Sequence, residues 1–329
     1  MAQPLLALLR QGDPSGTLDA AAPAHVAPVL GAMAEVSDVL PLPHAHGKLQ
    51  LRERLAAARA LRARRYDRCV ILPNSLKSAL IPWLAGIPER IGYRGEARYL
   101  LVNRLHEPSA AGGGTPVVEV HARRAVEPGP PPPAAPALLR DSGREQSALA
   151  RHDLRPDEPL VVLCPGAEYG PAKRWPARHF GALAAMIAAE WPEAAIVLLG
   201  SAKERPLATE IAALSGQPLK NLCGETSLAD ALALIAQAGG VVSNDSGLMH
   251  VAAAYGRPQV AVFGSSDPRH TPPRSPRARV EWLHLECSPC FQRECPLQHT
   301  NCLNQIAPAR VFESLRRAMG FETTSRPPR

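Results

Sequence analysis

Residues 241–264 read VVSNDSGLMHVAAAYGRPQVAVFG, and the reading of this stretch decides the fold. Val241 and Val242 are β-branched and apolar and suit the end of a buried strand. Asp245, Ser246 and Gly247 make a polar turn, and the alanine-rich residues 248–255 continue as a helix. Gly256, Arg257 and Pro258 stop that helix, and residues 259–263 form the next buried strand. Strand, tight turn, helix and strand is the unit from which parallel sheets are built. A ligand site is expected at the turn. Open α/β sheets bind ligands beyond the carboxyl ends of their strands, and the free N–H groups of a helix N-terminus suit phosphate. His250 lies one turn inside the helix, on the same side as Asp245 or Ser246.

The same pattern precedes it. Residues 160–164, LVVLC, read as a buried strand whose loop, PGAEYGPAKRWP at 165–176, places Lys173 just before a helix over 177–190. A lysine there suits a diphosphate, as a point charge on the leaving group; the alternative is an ordinary surface lysine. Residues 195–199 form another strand, with Glu204 in its loop and a helix over 207–214. Residues 224–228, GETSL, open a helix running to Ala238, with Thr226 or Ser227 as the cap. Three strand-end loops and the Asp245 turn are expected to converge on one crevice.

In the N-terminal half, short strands also alternate with helices. Helices are predicted over 2–10, 24–33 and 49–64, and strands over 17–22 and 69–72. The loop after residue 72, PNSLKS, places Asn74, Ser75 and Lys77 where α/β proteins keep binding groups; the alternative is that Asn74 and Ser75 cap the helix over 76–84. Arg90, Arg94 and Arg98 follow in RIGYRGEARY, either as an anion site or as a solvated face. The segment EPGPPPPAAP, 127–136, continues neither a helix nor a central strand and marks a domain linker. Two domains are expected, 1–136 and 137–329, in agreement with a length of 329 residues. A helix is predicted over 137–152, another over 308–319 that leans back on the first domain, and a disordered tail from residue 323.

Composition narrows the partners. No apolar run of membrane-spanning length and no leader-like start occur, so a cytoplasmic protein is the default expectation. The net charge of +7 and pI of about 9.2 come from dispersed basic residues. Without a basic stripe or interleaved aromatics, nucleic acid is disfavoured against an anionic small substrate, with a membrane surface as a second partner. No G-x-G-x-x-G joins a strand to a helix, which argues against a nicotinamide dehydrogenase.

Four motifs in order, LPNSLKSALIPWLAGIPERIGYRGEARY, PGAEYGPAKRWP, SNDSGLMHVAAAYGRPQVAVFGSSDP and CSPCFQRECPLQHTNC, resemble the ADP-heptose lipopolysaccharide heptosyltransferases of glycosyltransferase family 9. The resemblance covers nearly the whole chain. It implies two Rossmann-like domains facing across a cleft (GT-B type) and an inverting, metal-independent glycosyltransferase. Heptose would pass from ADP-heptose to the first heptose on Kdo-lipid A, at the cytoplasmic face of the inner membrane, by a peripheral monomer. By the resemblance, Lys173 touches the donor diphosphate, Glu204 the nucleoside and the Thr226 backbone the adenine. Asp245, Ser246, Gly247 and His250 hold the donor, with Lys173, Asp245 and His250 as the catalytic set. Asn74, Ser75, Lys77 and Arg90 are the acceptor-side candidates. The family's general base sits on a first strand and Gly-Asp loop ahead of the segment that begins here at Met1; the expectation is a working protein that starts upstream, with Gly12-Asp13 a decoy. Alternatives are the first-heptose transferase or another nucleotide-sugar enzyme, and an ADP-sugar-binding protein without turnover.

Cys287, Cys290, Cys295 and Cys302 form C-x2-C-x4-C-x6-C with His299 nearby, a spacing open to a structural zinc site, to reduced thiols or to a redox-formed bridge. Cys69, Cys164 and Cys223 are isolated and read as packing residues.

Overall fold

A computed structural model describes residues 2–42, 50–106 and 135–321. The chain divides into two compact units, 1–134 and 135–329. Most of the proline-rich segment and the tail from residue 323 lie outside the described residues.

In the second unit the sheet is six-stranded and parallel, in the order β11-β10-β9-β6-β7-β8. The strands are β6 (Leu160–Cys164), β7 (Ala195–Leu198), β8 (Lys220–Asn221), β9 (Gly240–Asn244), β10 (Gln259–Val262) and β11 (Ala278–Glu281). Strands β6, β9 and β10 are buried at every position; β6 is apolar throughout, whereas β9 and β10 also bury Ser243, Asn244 and Gln259. The helix Ala177–Glu190 presses Phe180, Leu183 and Ile187 on Val161, Leu163 and Val242, and the closing helix Pro308–Met319 adds Val311 and Leu315. Each such fully buried side chain stabilises the fold by roughly 1.5–3 kcal/mol. The closing helix buries Val311 and Leu315 in the core of this unit. At its outer edge Glu281 of β11 accepts hydrogen bonds from Arg310 and Ser314.

Strand order reverses between β6 and β9. The chain leaves β6 toward β7 on one side and leaves β9 toward β10 on the other, so their carboxyl ends open a crevice between diverging connections. Asn244, fully buried at the end of β9, spans this point. Its Oδ1 accepts from the Trp175 amide at 3.0 Å and its Nδ2 donates to the Pro165 carbonyl at 2.6 Å. The Trp175 indole is fully buried in turn and donates to the Ile306 carbonyl at 3.0 Å. The loop bearing Lys173 is thereby fixed at both ends.

The first unit carries two parallel sheets, β1-β2 and β3-β4-β5. Strand β1 (Asp19–Pro23) pairs with β2 (Asp38–Leu42); β3 (Arg68–Ile71), β4 (Glu89–Tyr93) and β5 (Arg104–His106) make the other. Asp19 and Asp38 are register partners, and Arg64 reaches both carboxylates, at 3.3 and 2.8 Å. The helix expected over 24–33 is shorter and begins as a 3-10 turn, Ala24–Val26 followed by Ala27–Gly31.

Asn244→Ala leaves a buried donor at Trp175 and a buried acceptor at Pro165. The expected cost is roughly 2–4 kcal/mol, read as a melting temperature about 5–10 °C lower with the secondary-structure spectrum preserved below the transition.

Candidate functional site

Lys173 ends a 3-10 turn, Pro171–Lys173, at the mouth of the crevice. Its Nζ lies 2.5 Å from Asp245 Oδ2, with the two side chains only 17% and 6% exposed. Asp245 follows β9 directly, and its amide donates to the Val262 carbonyl of β10 at 3.2 Å. The same Oδ2 also accepts from Ser266 Oγ at 2.6 Å, and Ser266 is itself buried. The Lys173 ammonium stands 4.9 Å from the centre of the Tyr169 ring, a cation–π contact on its other side. Lysine, aspartate and serine from the loops after β6, β9 and β10 therefore meet at the point where the strand order reverses.

Asp245, Ser246 and Gly247 form the expected turn. Ser246 is the N-cap of the helix Gly247–Ala254 in extended conformation and makes no side-chain cap, so the first amides of this helix are not capped by its own hydroxyl. His250 lies inside the first turn, and burial pushes its imidazole down to about 4, so it is neutral at physiological pH.

Glu204 closes the floor. It forms a capping box with Ser201, taking Oε2 to the Ser201 amide at 2.7 Å and to its hydroxyl at 3.1 Å. Its carboxylate lies against Gly166 of the β6 loop, where an added Cβ would fall 1.7 Å from Oε1. A side chain at 166 would have to displace the Glu204 carboxylate. Thr226 stands two residues before the helix Leu228–Gln237; of the two cap candidates it is Ser227 that accepts from the Asp230 amide, in a second capping box, and leaves Thr226 outside it.

Asn74, Ser75, Lys77 and Arg90 belong to the first unit. Ser75, the N-cap of the helix Leu76–Ala85, does not cap it through its side chain; the carboxylate of Glu96 accepts from the Leu76 amide at 2.7 Å and supplies a cap from outside. Asn74 Oδ1 accepts from Arg98, and Lys77 gives its carbonyl to Arg54. Arg90 donates to the carbonyls of Ile87, Pro88 and Leu101, which makes its guanidinium a brace of its own loop. Arg98, from the run read as either an anion site or a solvated face, is 1% exposed and holds the Pro73 and Tyr93 carbonyls. It is a structural arginine.

In the cysteine-rich loop, Cys302 has Cys287, Cys290 and Cys295 as electrostatic neighbours. Cys302 sits in the apolar core, whereas Cys287, Cys290 and Cys295 keep partial exposure. Among the described residues no group of three or more His, Cys, Asp or Glu side chains is placed to hold a metal ion. Burial pushes the Cys302 thiol up to about 11 and Cys223 to about 12, and raises Cys164 further, as expected of packed thiols. What the loop does is bond to the site. Ser265, at the end of β10, accepts at its carbonyl from the Cys290 and Phe291 amides, and the Arg293 carbonyl accepts from Ala172 next to Lys173. Asn244, Ser266 and this brace were not identifiable from local sequence, since each acts on partners far along the chain.

Comparison with known proteins agrees with this geometry. The model of glycosyltransferase family 9 (heptosyltransferase) matches residues 54–301. Lipopolysaccharide heptosyltransferase 2 of Escherichia coli is 40% identical over 96% of this chain and 93% of its own length. The Salmonella typhimurium protein of the same name is 40% identical over 98% and 95%. The solved structure of the E. coli ADP-heptose LPS heptosyltransferase II superposes with a TM-score of 0.84 at 38% identity, covering 97% of this chain and 94% of that one. A family 9 glycosyl transferase from Veillonella parvula shares the fold, with a TM-score of 0.80 at 16% identity and coverage of 97% and 92%. With the family model matched over 54–301 and relatives 40% identical over nearly the whole chain, the chain belongs to glycosyltransferase family 9, the heptosyltransferases.

Proposed function

We propose that this chain is a lipopolysaccharide heptosyltransferase of the second type. It moves heptose from ADP-heptose to the heptose already attached to Kdo-lipid A, with inversion at the anomeric carbon. The observation that carries the reading is the Lys173 ammonium, held by Asp245 and Tyr169 at the strand-order reversal beside the N-terminus of the helix Gly247–Ala254. The likeness to the heptosyltransferases named 2, over nearly the full length of both partners, supports the choice of donor and acceptor.

In this reading an acceptor hydroxyl oxygen attacks the anomeric carbon. The bond from that carbon to the diphosphate oxygen breaks, the electron pair leaves with ADP, and the acceptor proton passes to a base. Lys173 meets the negative charge that grows on the leaving diphosphate, and the free amides of residues 247–249 add partial positive charge to it. Asp245 holds the lysine until substrate arrives. Glu204 and the backbone at Thr226 face the nucleoside, Ser246 and Gly247 admit the sugar diphosphate, and neutral His250 serves as a hydrogen-bonding partner. Asn74, Ser75 and Lys77 are the acceptor contacts, with Arg90 shaping the loop behind them. No helix of the described residues is long and apolar enough to cross a membrane; the enzyme meets its lipid acceptor as a peripheral, monomeric protein on the cytoplasmic face of the inner membrane.

The test is transfer of heptose from ADP-heptose to heptosyl-Kdo-lipid A. Lys173→Met is expected to lower kcat by roughly 10²–10³-fold; transfer that survives this change unaltered excludes Lys173 from leaving-group stabilisation. His250 gives a second test. Its imidazole titrates near 4 when folded and near 6.5 when unfolded, so the unfolded chain binds more protons between those values. The stability it contributes is complete above about pH 6.5 and is lost as pH falls toward 4. His250→Gln is therefore expected to lose less melting temperature than the parent between pH 6.5 and 4.5, and equal slopes would overturn the assignment.

A further inference from the structure

We infer that Arg293, carried on the cysteine-rich loop, is a second cation of the donor diphosphate site. This rests on the reading of Lys173 as the diphosphate lysine. The Arg293 guanidinium lies 5.4 Å from the centre of the Tyr169 ring, the ring that Lys173 Nζ approaches at 4.9 Å. One aromatic side chain thus gathers two cations at the mouth of the crevice. Two like charges on one ring repel each other, and only one of them is neutralised by the protein: Lys173 has Asp245, whereas among the described residues no carboxylate is paired with Arg293. A polyanion lying along the ring would compensate the second.

The backbone around Arg293 is built to keep it there. Its carbonyl accepts from the Ala172 amide at 3.0 Å, one residue before Lys173. Gly170 packs so closely that an added Cβ would meet the Arg293 carbonyl oxygen at 2.4 Å. Tyr169 Oη donates to the Phe291 carbonyl at 2.6 Å, which orients the shared ring, and Phe291 donates its amide to Ser265 at 2.7 Å. Arg293 and Lys173 are therefore fixed to a single framework although 120 positions apart in the chain. A guanidinium fork fits a phosphate oxygen pair, and it complements the single-point charge of a lysine. Where no metal carries the leaving diphosphate, a pair of cations shares the charge that develops when the anomeric bond breaks.

Titration calorimetry of ADP and of adenosine against the parent, Arg293→Ala, Arg293→Lys and Lys173→Met tests this. Arg293→Ala is expected to weaken ADP by about 10-fold or more while adenosine binding changes less than about twofold, with Arg293→Lys in between. The donor KM should rise and kcat fall, with the acceptor KM unmoved. Because the side chain is exposed, the melting temperature should hold; a fall in all ligands together with a lowered melting temperature in both Arg293 variants would mark a structural role and overturn the proposal. ADP bound as tightly by Arg293→Ala as by the parent, with Lys173→Met weakened, overturns it while leaving the donor site intact. A parent protein that fails to bind ADP overturns the donor-site reading and this inference with it.

Discussion

One carboxamide holds together two backbones that the fold drives apart. Parallel strands β6 and β9 lie side by side, but their onward connections run to opposite flanks of the sheet, and the gap between them is where a ligand can enter. A gap at a sheet's end is a weakness, because it exposes backbone groups that no neighbouring strand can satisfy. Asn244 answers both needs with one side chain, accepting from Trp175 and donating to Pro165. Only an amide offers a donor and an acceptor at that spacing, so aspartate or leucine of similar size would satisfy one partner or neither. Trp175, anchored to Ile306 by its indole, then sets the rigid end of the Lys173 loop.

On this scaffold the Lys173–Asp245 pair is set in a mostly buried position, and burial decides its meaning. Two charges taken out of water lose several kcal/mol of hydration each, and their attraction only offsets that loss when the geometry is good. The third partner, Ser266, improves the match by a further hydrogen bond to the same carboxylate oxygen. Such a pair contributes little net stability, while loss of either partner leaves an uncompensated charge. Its value lies in preorganisation: the lysine waits where an anion will arrive, already stripped of most of its water, and needs little rearrangement to meet it.

How much of this was legible follows from which partners are local. Strands β6, β7, β9 and β10 stood out because burial on both faces favours apolar, β-branched runs such as LVVLC in β6 and Val241–Val242 in β9. Lys173, Asp245 and His250 followed from their place at strand ends. Strands β2, β4 and β11 did not stand out. In β2, DVLPL carries a proline that a central strand would exclude; in β4, ERIGY is charged at one end and looks like a loop; β11 exposes two of its four residues. Strands β2 and β11 lie at sheet edges and need only one apolar face, and in β4, although central, the pattern over five residues is too short to detect. Arg98 shows a second limit. Nothing in GEARY distinguishes an exposed arginine from one whose guanidinium holds the carbonyls of Pro73 and Tyr93. Likewise Glu96 caps a helix twenty residues away, a pairing that only the tertiary fold creates.

The backbone between the spaced cysteines has a role that their spacing does not announce. Cys302 of C-x2-C-x4-C-x6-C packs with Leu303 and Val311 in the apolar core and has Cys287, Cys290 and Cys295 as electrostatic neighbours. The stretch between them is a brace: its amides take the Ser265 carbonyl, its carbonyls take Ala172 and Tyr169, and Ser288 donates to Gly264. PGAEYGPAKRWP, SNDSG with its following GSSDP, and CSPCFQREC are consequently one bonded assembly in space. A change in any of the three must be accommodated by the other two. That mutual dependence explains in physical terms why the three segments occur together, in order, as the recognisable part of this sequence.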